Sequence, residues 1–312
     1  MYNISHKYKR SFLLLFKLAI VFGAIYFIYK RLATNQLLTI TQFKEQLLVL
    51  FSTNIWSVLL LFLLTDANWL LEIFKWKTLA FAEKKITFFE AYEQSLSSLT
   101  VSIITPNRIG EYGAKALYFK KTSRKNILFL NLIGNLSQLI ITLFFGVIGV
   151  FYFLSNYKIL VPKLNIFNLI FIVAISTILF IFRKKLNFFK IKSYVKQISS
   201  KIYIKTLILS LFRYIVFSHQ FYFLTLLFGI EANYITIISL VFTMYFIASI
   251  IPSLAIFDWA VKGSIAVWLF TFIGVNELTI VTIATLMWVL NFAIPSLIGS
   301  IFVLNFKLLE KK

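Results

Sequence analysis

Long apolar runs divided by short basic ones leave this chain little choice of solvent. A bilayer-spanning helix needs about 20 consecutive, mostly apolar residues. Such runs lie at residues 11–29, 54–74, 127–154, 164–182, 206–229 and 278–306. Two more apolar stretches are broken: 88–119 at Pro106 and Gly110, and 235–272 at Pro252 and Asp258. The longest polar connection, 183–205, is a basic loop or surface helix, too short for a soluble domain. Composition agrees: 60% of the residues are hydrophobic and 14% charged, against about 25% charged in a soluble domain. The expected fold is an all-α polytopic membrane protein, one integral domain over 1–312. It has about six full spans and two broken, re-entrant helical hairpins.

Thirty-two Lys and Arg against eleven Asp and Glu give a net charge of +21. The bases sit in short runs between apolar segments, as in loops facing an anionic inner leaflet. Membrane lipid, not nucleic acid, is therefore the expected partner. Zero cysteines exclude disulfides, thiol catalysis and cysteine metal sites, and two histidines leave little for a His-rich metal site. No cofactor, metal site or catalytic residue is assigned.

Positive residues favour the cytoplasmic side of the inner membrane. The block Arg183, Lys184, Lys185, Lys190, Lys192, Lys196, Lys201 and Lys205 places the 183–205 loop inside. Lys75, Lys77, Lys84 and Lys85, the group around Lys120 to Lys125, and Lys307, Lys311 and Lys312 are assigned to the same side. The run 11–29 carries Lys17 and lacks a small-x-small cleavage site, so it reads as a retained first helix. Both termini are then cytoplasmic, and each broken stretch must return to the side it left. Residues 54–154 and 206–306 become two units of span, broken stretch and span, opening from opposite sides: an inverted repeat, as in many secondary transporters.

The breaks resemble one another. Pro106, Arg108, Gly110 and Glu111 precede Lys115; Pro252 and Asp258 precede Lys262. In each, an acid follows a proline by five or six residues and a lysine follows the acid by four. Acids suit helix N-termini, and an acid four residues before a lysine is the favourable helical pair. Each break reads as helix end, turn, and a new half-helix. Such backbone must line a cavity or be buried in protein. Arg108 and a half-helix N-terminus make that cavity suited to an anionic group such as a lipid phosphate. The alternative is that the prolines only kink helices and the acid–lysine pairs are satisfied ion pairs.

Pro106-Asn-Arg108-Ile-Gly110-Glu111 resembles the P-x-R-x-G-E signature of the lysylphosphatidylglycerol synthase transmembrane-region family. The resemblance covers nearly the whole chain in span order. The second break departs from the family's Gly-x-x-Glu form, with Phe257-Asp258 in its place. The resemblance implies flippase-type lipid handling. A stand-alone member is expected, without the soluble aminoacyl-transferase domain of the full-length synthases.

Other polar residues fall inside spans, where they are functional candidates by default. Asp66 lies near the middle of its run beside Asn68 and Trp69, with Glu72 further on. Three roles fit Arg213: facing Asp66 or a substrate phosphate, structural pairing, or snorkelling to the surface. His219 fits a hydrogen-bonded bundle histidine or a proton relay. Asn131, Asn135, Gln138 and Thr142 form one helical stripe, and Asn291, Pro295 and Ser296 mark the last span.

The leading function is a transporter or flippase for an anionic phospho- or polyprenyl-phosphate-type lipid. Arg108 and Lys115 would hold phosphate. Glu111 and Asp258 would order the half-helices or pair with a cationic head group. Lys262, Arg213 and Asp66 complete the candidate substrate site. The alternatives are a membrane glycosyl- or phospho-transferase, disfavoured by the lack of a Gly-rich phosphate loop and a D-x-D pair, and a non-catalytic scaffold of envelope assembly.

Overall fold

The structure is a computed structural model that describes residues 55–103, 105, 108–157, 198–251 and 258–306, with scattered helical positions between 15 and 48. The run 164–182, residues 183–197 of the basic loop, Pro106, Pro252 and the side chain of Asp258 lie outside the described residues, so the expected approach of the two prolines does too. Among the described residues there is no strand.

The first unit contains α1 (Ile55–Ala80), α2 (Phe88–Ser102), α3 (Ile109–Leu117) and α4 (Arg124–Asn156). The second contains α5 (Ser200–Leu227), α6 (Tyr234–Ile250), α7 (Asp258–Thr271), α8 (Glu277–Trp288), a π-helical turn (Val289–Ala293) and α9 (Ile294–Asn305). Among the described residues, four segments are long and apolar enough to cross a membrane: α1, α4, α5 and the continuous stretch Glu277–Asn305. Helices α2, α3 and α7, of 15, 9 and 14 residues, fall short of the ~20 residues of a straight span.

Local chemistry explains the helix starts. Thr87 caps α2 in a capping box: its Oγ1 accepts from the Glu90 amide at 3.1 Å, and its own amide donates to the Glu90 carboxylate at 2.6 Å. Asn233 and Asn276 cap α6 and α8 by accepting from the amides of Ile235 and Leu278. The run read as 54–74 continues in helix α1 to Ala80. Lys75 and Lys77, assigned to the cytoplasmic side, belong to α1, and Lys75 is buried. Glu72, one turn back, pairs with Lys75 at 2.6 Å and lets the lysine enter the bundle.

Helices α1 and α5 pack together, α2 packs on α9, and α4 packs on α6. Lipid tails are as apolar as Leu, so helices in a bilayer associate through close van der Waals contact and interhelical hydrogen bonds. Gly146 and Gly149 bring α4 against Phe246 and the backbone of Ser239 and Thr243. Gly299 brings α9 against the Leu96 carbonyl and Thr100 of α2. One apolar cluster, including Leu224, Leu240, Met244, Leu269 and Ile283, centres on the second unit. Another, including Ile73, Trp76, Leu79, Ile127 and Leu130, centres on the first. Lys17 donates to the Leu304 carbonyl at 3.0 Å and to that of Phe306, tying the N-terminal segment to the end of α9.

Candidate functional site

Thr65, Asn68, Glu72 and Lys75 recur three or four residues apart and share one buried face of α1. In a bilayer each needs a partner. Both Lys75, at 2.6 Å, and Arg213 of α5, at 2.8 Å, approach the same Glu72 oxygen, Oε2. Arg213 Nε donates to Asn68 Oδ1 at 3.0 Å. Asn68 Nδ2 donates to Asn291 Oδ1 at 2.7 Å, and Asn291 Nδ2 to Gln220 Oε1 at 2.8 Å. Gln220 Nε2 closes the chain on Thr65 Oγ1 at 2.8 Å. Arg213 thus faces protein, pairing with Glu72 and Asn68.

Asn291 lies in the π turn, a distortion often found at functional sites. Pro295 has no N–H to give the carbonyl four residues back, that of Asn291. Trp69 Nε1 of α1 supplies the donor at 3.2 Å. Ser296 Oγ donates to the Phe292 carbonyl at 2.6 Å.

The first break adjoins this network. Arg108 is the one non-glycine residue with positive φ among the described residues (φ 56°), at the start of α3. The left-handed region costs an ordinary residue about 1–2 kcal/mol. Its guanidinium lies 5.4 Å from the ring centroid of Phe292, the neighbour of Asn291. Gly110 is required locally: a Cβ there would stand 2.8 Å from both the Val101 carbonyl and Thr105 Oγ1. Thr105 Oγ1 in turn accepts from the Gly110 amide at 2.9 Å. Glu111 opens α3 and pairs with Lys115 at 2.7 Å. Lys115 also donates to Asn131 Oδ1 of α4 at 2.9 Å and sits 4.5 Å from the Trp76 ring centroid. Trp76 donates to Gln94 of α2 at 2.8 Å. Lys115 is only 2% exposed, so in this conformation protein groups surround it.

The other candidates stand apart. Asp66 does not meet Arg213. It lies on the exposed stripe of α1 with Phe62, Leu63, Leu70 and Phe74, because one helical position separates it from the buried face. Asp258 is the first residue of α7. Lys262, also on α7, lies 5.8 Å from the Tyr245 ring of α6. The two ring nitrogens of His219 meet the Ile215 carbonyl and the Tyr234 hydroxyl, each at 2.8 Å, which fits a hydrogen-bonded bundle histidine. In the α4 stripe, Asn131 accepts from Lys115, Asn135 donates to Tyr112 at 2.9 Å and Gln138 to the Ser210 carbonyl at 3.4 Å. Among the described residues no three His, Cys, Asp or Glu side chains gather as metal ligands.

Sequence reasoning placed Glu72 and Asn68 in a span without joining them to Arg213, and it passed over Gln220. The available signal was helical phase: Thr65, Asn68, Glu72 and Lys75 lie on one face, and Asp66 lies off it.

Fold and site define a polytopic α-helical membrane protein with a buried ionic network beside a helix break. The chain matches the family described as lysylphosphatidylglycerol synthase TM region over residues 14–299, and it belongs to that family. Membership ties it to membrane lipid metabolism. No curated protein matches the chain.

Proposed function

We propose that this protein is a flippase-type lipid transporter, not an enzyme, that accepts an anionic phospho- or polyprenyl-phosphate-type head group at membrane depth beside the first break. The observation that carries the reading is the charge of the connected side chains. Lys75, Lys115 and Arg213 face two carboxylates, Glu72 and Glu111, with Arg108 held at the adjoining turn. An excess of buried cation is costly in a bilayer unless an anion completes it. Arg108 is the group suited to that anion, since its planar fork binds phosphate through two parallel hydrogen bonds.

The mechanism follows from two units related by an inverted repeat, each with a re-entrant hairpin. Helix pairing supports it: α2 of the first unit packs on α9 of the second, and α6 of the second on α4 of the first. Exchanging the units turns one contact into the other. In both, a glycine on the last helix of a unit admits the first half-helix of the other: Gly299 against Leu96, and Gly146 against Phe246. Rocking of the units about these contacts gives alternating access. The protein sits in the inner membrane with both termini cytoplasmic.

Arg108 supplies the test. Arg108→Gly removes the guanidinium and relieves the left-handed backbone, so the fold should hold or gain stability. Arg108→Lys keeps the charge without the fork. Both variants should lose most translocation of a fluorescent anionic phospholipid in reconstituted vesicles, with thermal unfolding unchanged or raised for Arg108→Gly. Wild-type translocation by both variants would remove the phosphate-binding role and leave the motif structural.

A further inference from the structure

Thr206, Ser210 and Tyr214 follow one another at four-residue intervals, so they share one face of α5. All three are fully buried. Thr206 Oγ1, Ser210 Oγ and the Tyr214 hydroxyl find no hydrogen-bond partner among the described residues. The same holds for two atoms on the facing helix α4, Asn131 Nδ2 and Gln138 Oε1, whose residues are seven apart and so share a face of α4. The two faces meet: Gln138 Nε2 reaches the Ser210 carbonyl at 3.4 Å, and the Tyr214 ring stacks on Phe145 of α4 with centroids 5.0 Å apart and planes 9° from parallel. Five buried polar atoms therefore belong to residues on the two helix faces that these contacts join. A buried polar atom without a partner carries its full desolvation penalty, and such atoms are almost always satisfied by protein or by ordered water.

The donor set selects the occupant. Three hydroxyls can both donate and accept, one amide oxygen accepts and one amide nitrogen donates. That mixture suits water, which takes two to four polar partners. It does not suit a cation: the atoms are uncharged, and Lys115 bonds Asn131 at one end. Nor does it suit a lipid head group, because the three α5 residues have no exposed surface.

We propose that the α4–α5 seam holds an internal file of water running beside the ionic network, from Asn131 and its Lys115 contact toward Tyr214. The file lets Lys115 change partners against water rather than against hydrocarbon.

The test is X-ray radiolytic labelling of the full chain in lipid nanodiscs prepared in ¹⁸O-water, where hydroxyl radicals form from bound water beside the residue they attack. After correction for the intrinsic reactivities of Tyr and Phe, Tyr214 should be labelled. Phe221 and Phe270, equally buried in the apolar cluster of the second unit, should not be. The double variant Thr206→Val, Ser210→Ala should lose the Tyr214 label. Labelling of wild-type Tyr214 no stronger than of Phe221 and Phe270 overturns the proposal, as does full Tyr214 labelling in a folded double variant. If that variant fails to fold, the wild-type comparison decides alone. No step depends on lipid movement, so the outcome is separate from that of the flippase reading.

Discussion

Glu72 carries two cations on one carboxylate oxygen, and that asymmetry ranks the substitutions around it. Removing Arg213 leaves Glu72 paired with Lys75. Removing Glu72 leaves Lys75 and Arg213 buried together without a counterion. Breaking a buried pair by taking one partner costs about 3–5 kcal/mol, chiefly because the other charge stays behind. Glu72→Gln should therefore lower the thermal midpoint in detergent more than Arg213→Gln. The double variant should recover part of the loss, since it removes one charge of each sign; contacting residues couple in this way. Equal, additive losses would show that the three charges do not act as one cluster. At this scale the sequence was only partly legible. Arg108, Gly110, Glu111 and Lys115 stand in a short string with a recognisable rhythm. Glu72 and Arg213 are far apart in the chain, and their pairing depends on which faces of α1 and α5 meet. The more central acid, Asp66, drew attention from Glu72, although helical phase places Asp66 among exposed apolar side chains.

At the scale of the element, breaks and ends followed from what a bilayer demands of backbone, and packing distances did not. The two interruptions expected near 106 and 252 do separate α2 from α3 and α6 from α7. The run 54–74 goes on as helix to Ala80: a lysine normally marks the membrane surface, and Lys75 is instead paired with Glu72 within α1. The π turn left only an indirect sign, Pro295 four residues after Asn291. Close helix approach is legible only as glycine, without the identity of the partner. The partner makes one substitution act in opposite directions. A Cβ at Gly149 would lie 2.7 Å from the Ser239 carbonyl and 2.9 Å from the Thr243 amide, both backbone atoms that cannot swing aside. A Cβ at Gly113, inside α3, meets nothing within 4 Å. Gly149→Ala should force α4 off α6 and lower the thermal midpoint. Gly113→Ala should raise it, by an increment of about 0.5–1 kcal/mol from lost unfolded-chain entropy. A neutral Gly149→Ala would mean that the α4–α6 contact yields easily, and that these helices are not a rigid seam.

Across the whole molecule, the contacts that cross between units are where the proposed rocking must register. The first unit's α2 is held by the second unit's α9: Thr100 Oγ1 donates to the Ser296 carbonyl at 2.7 Å, and Gly299 lies against Leu96 and Thr100. If the units rock against each other, this seam must shear or hinge in each cycle. The chain has no cysteine, so an engineered pair reports without background. Gly299 itself is too tight for a cysteine, since a Cβ there would stand 2.2 Å from the Leu96 carbonyl, but Tyr92 of α2 and Phe302 of α9 meet across the same seam with ring centroids 5.5 Å apart. Tyr92→Cys with Phe302→Cys, bridged in vesicles by a short bis-methanethiosulfonate cross-linker, should stop lipid translocation, and a membrane-permeant reductant should restore it. The reduced double variant is its own control for the substitutions. Should it be inactive, Tyr152→Cys with Thr236→Cys, whose hydroxyls meet at 3.1 Å, lets the same cross-linker bridge the counterpart seam between α4 and α6. Full translocation with a verified cross-link in place would show that α2 and α9 move as one body. The alternation would then have to lie elsewhere, and the inverted-repeat mechanism proposed for this protein would fall.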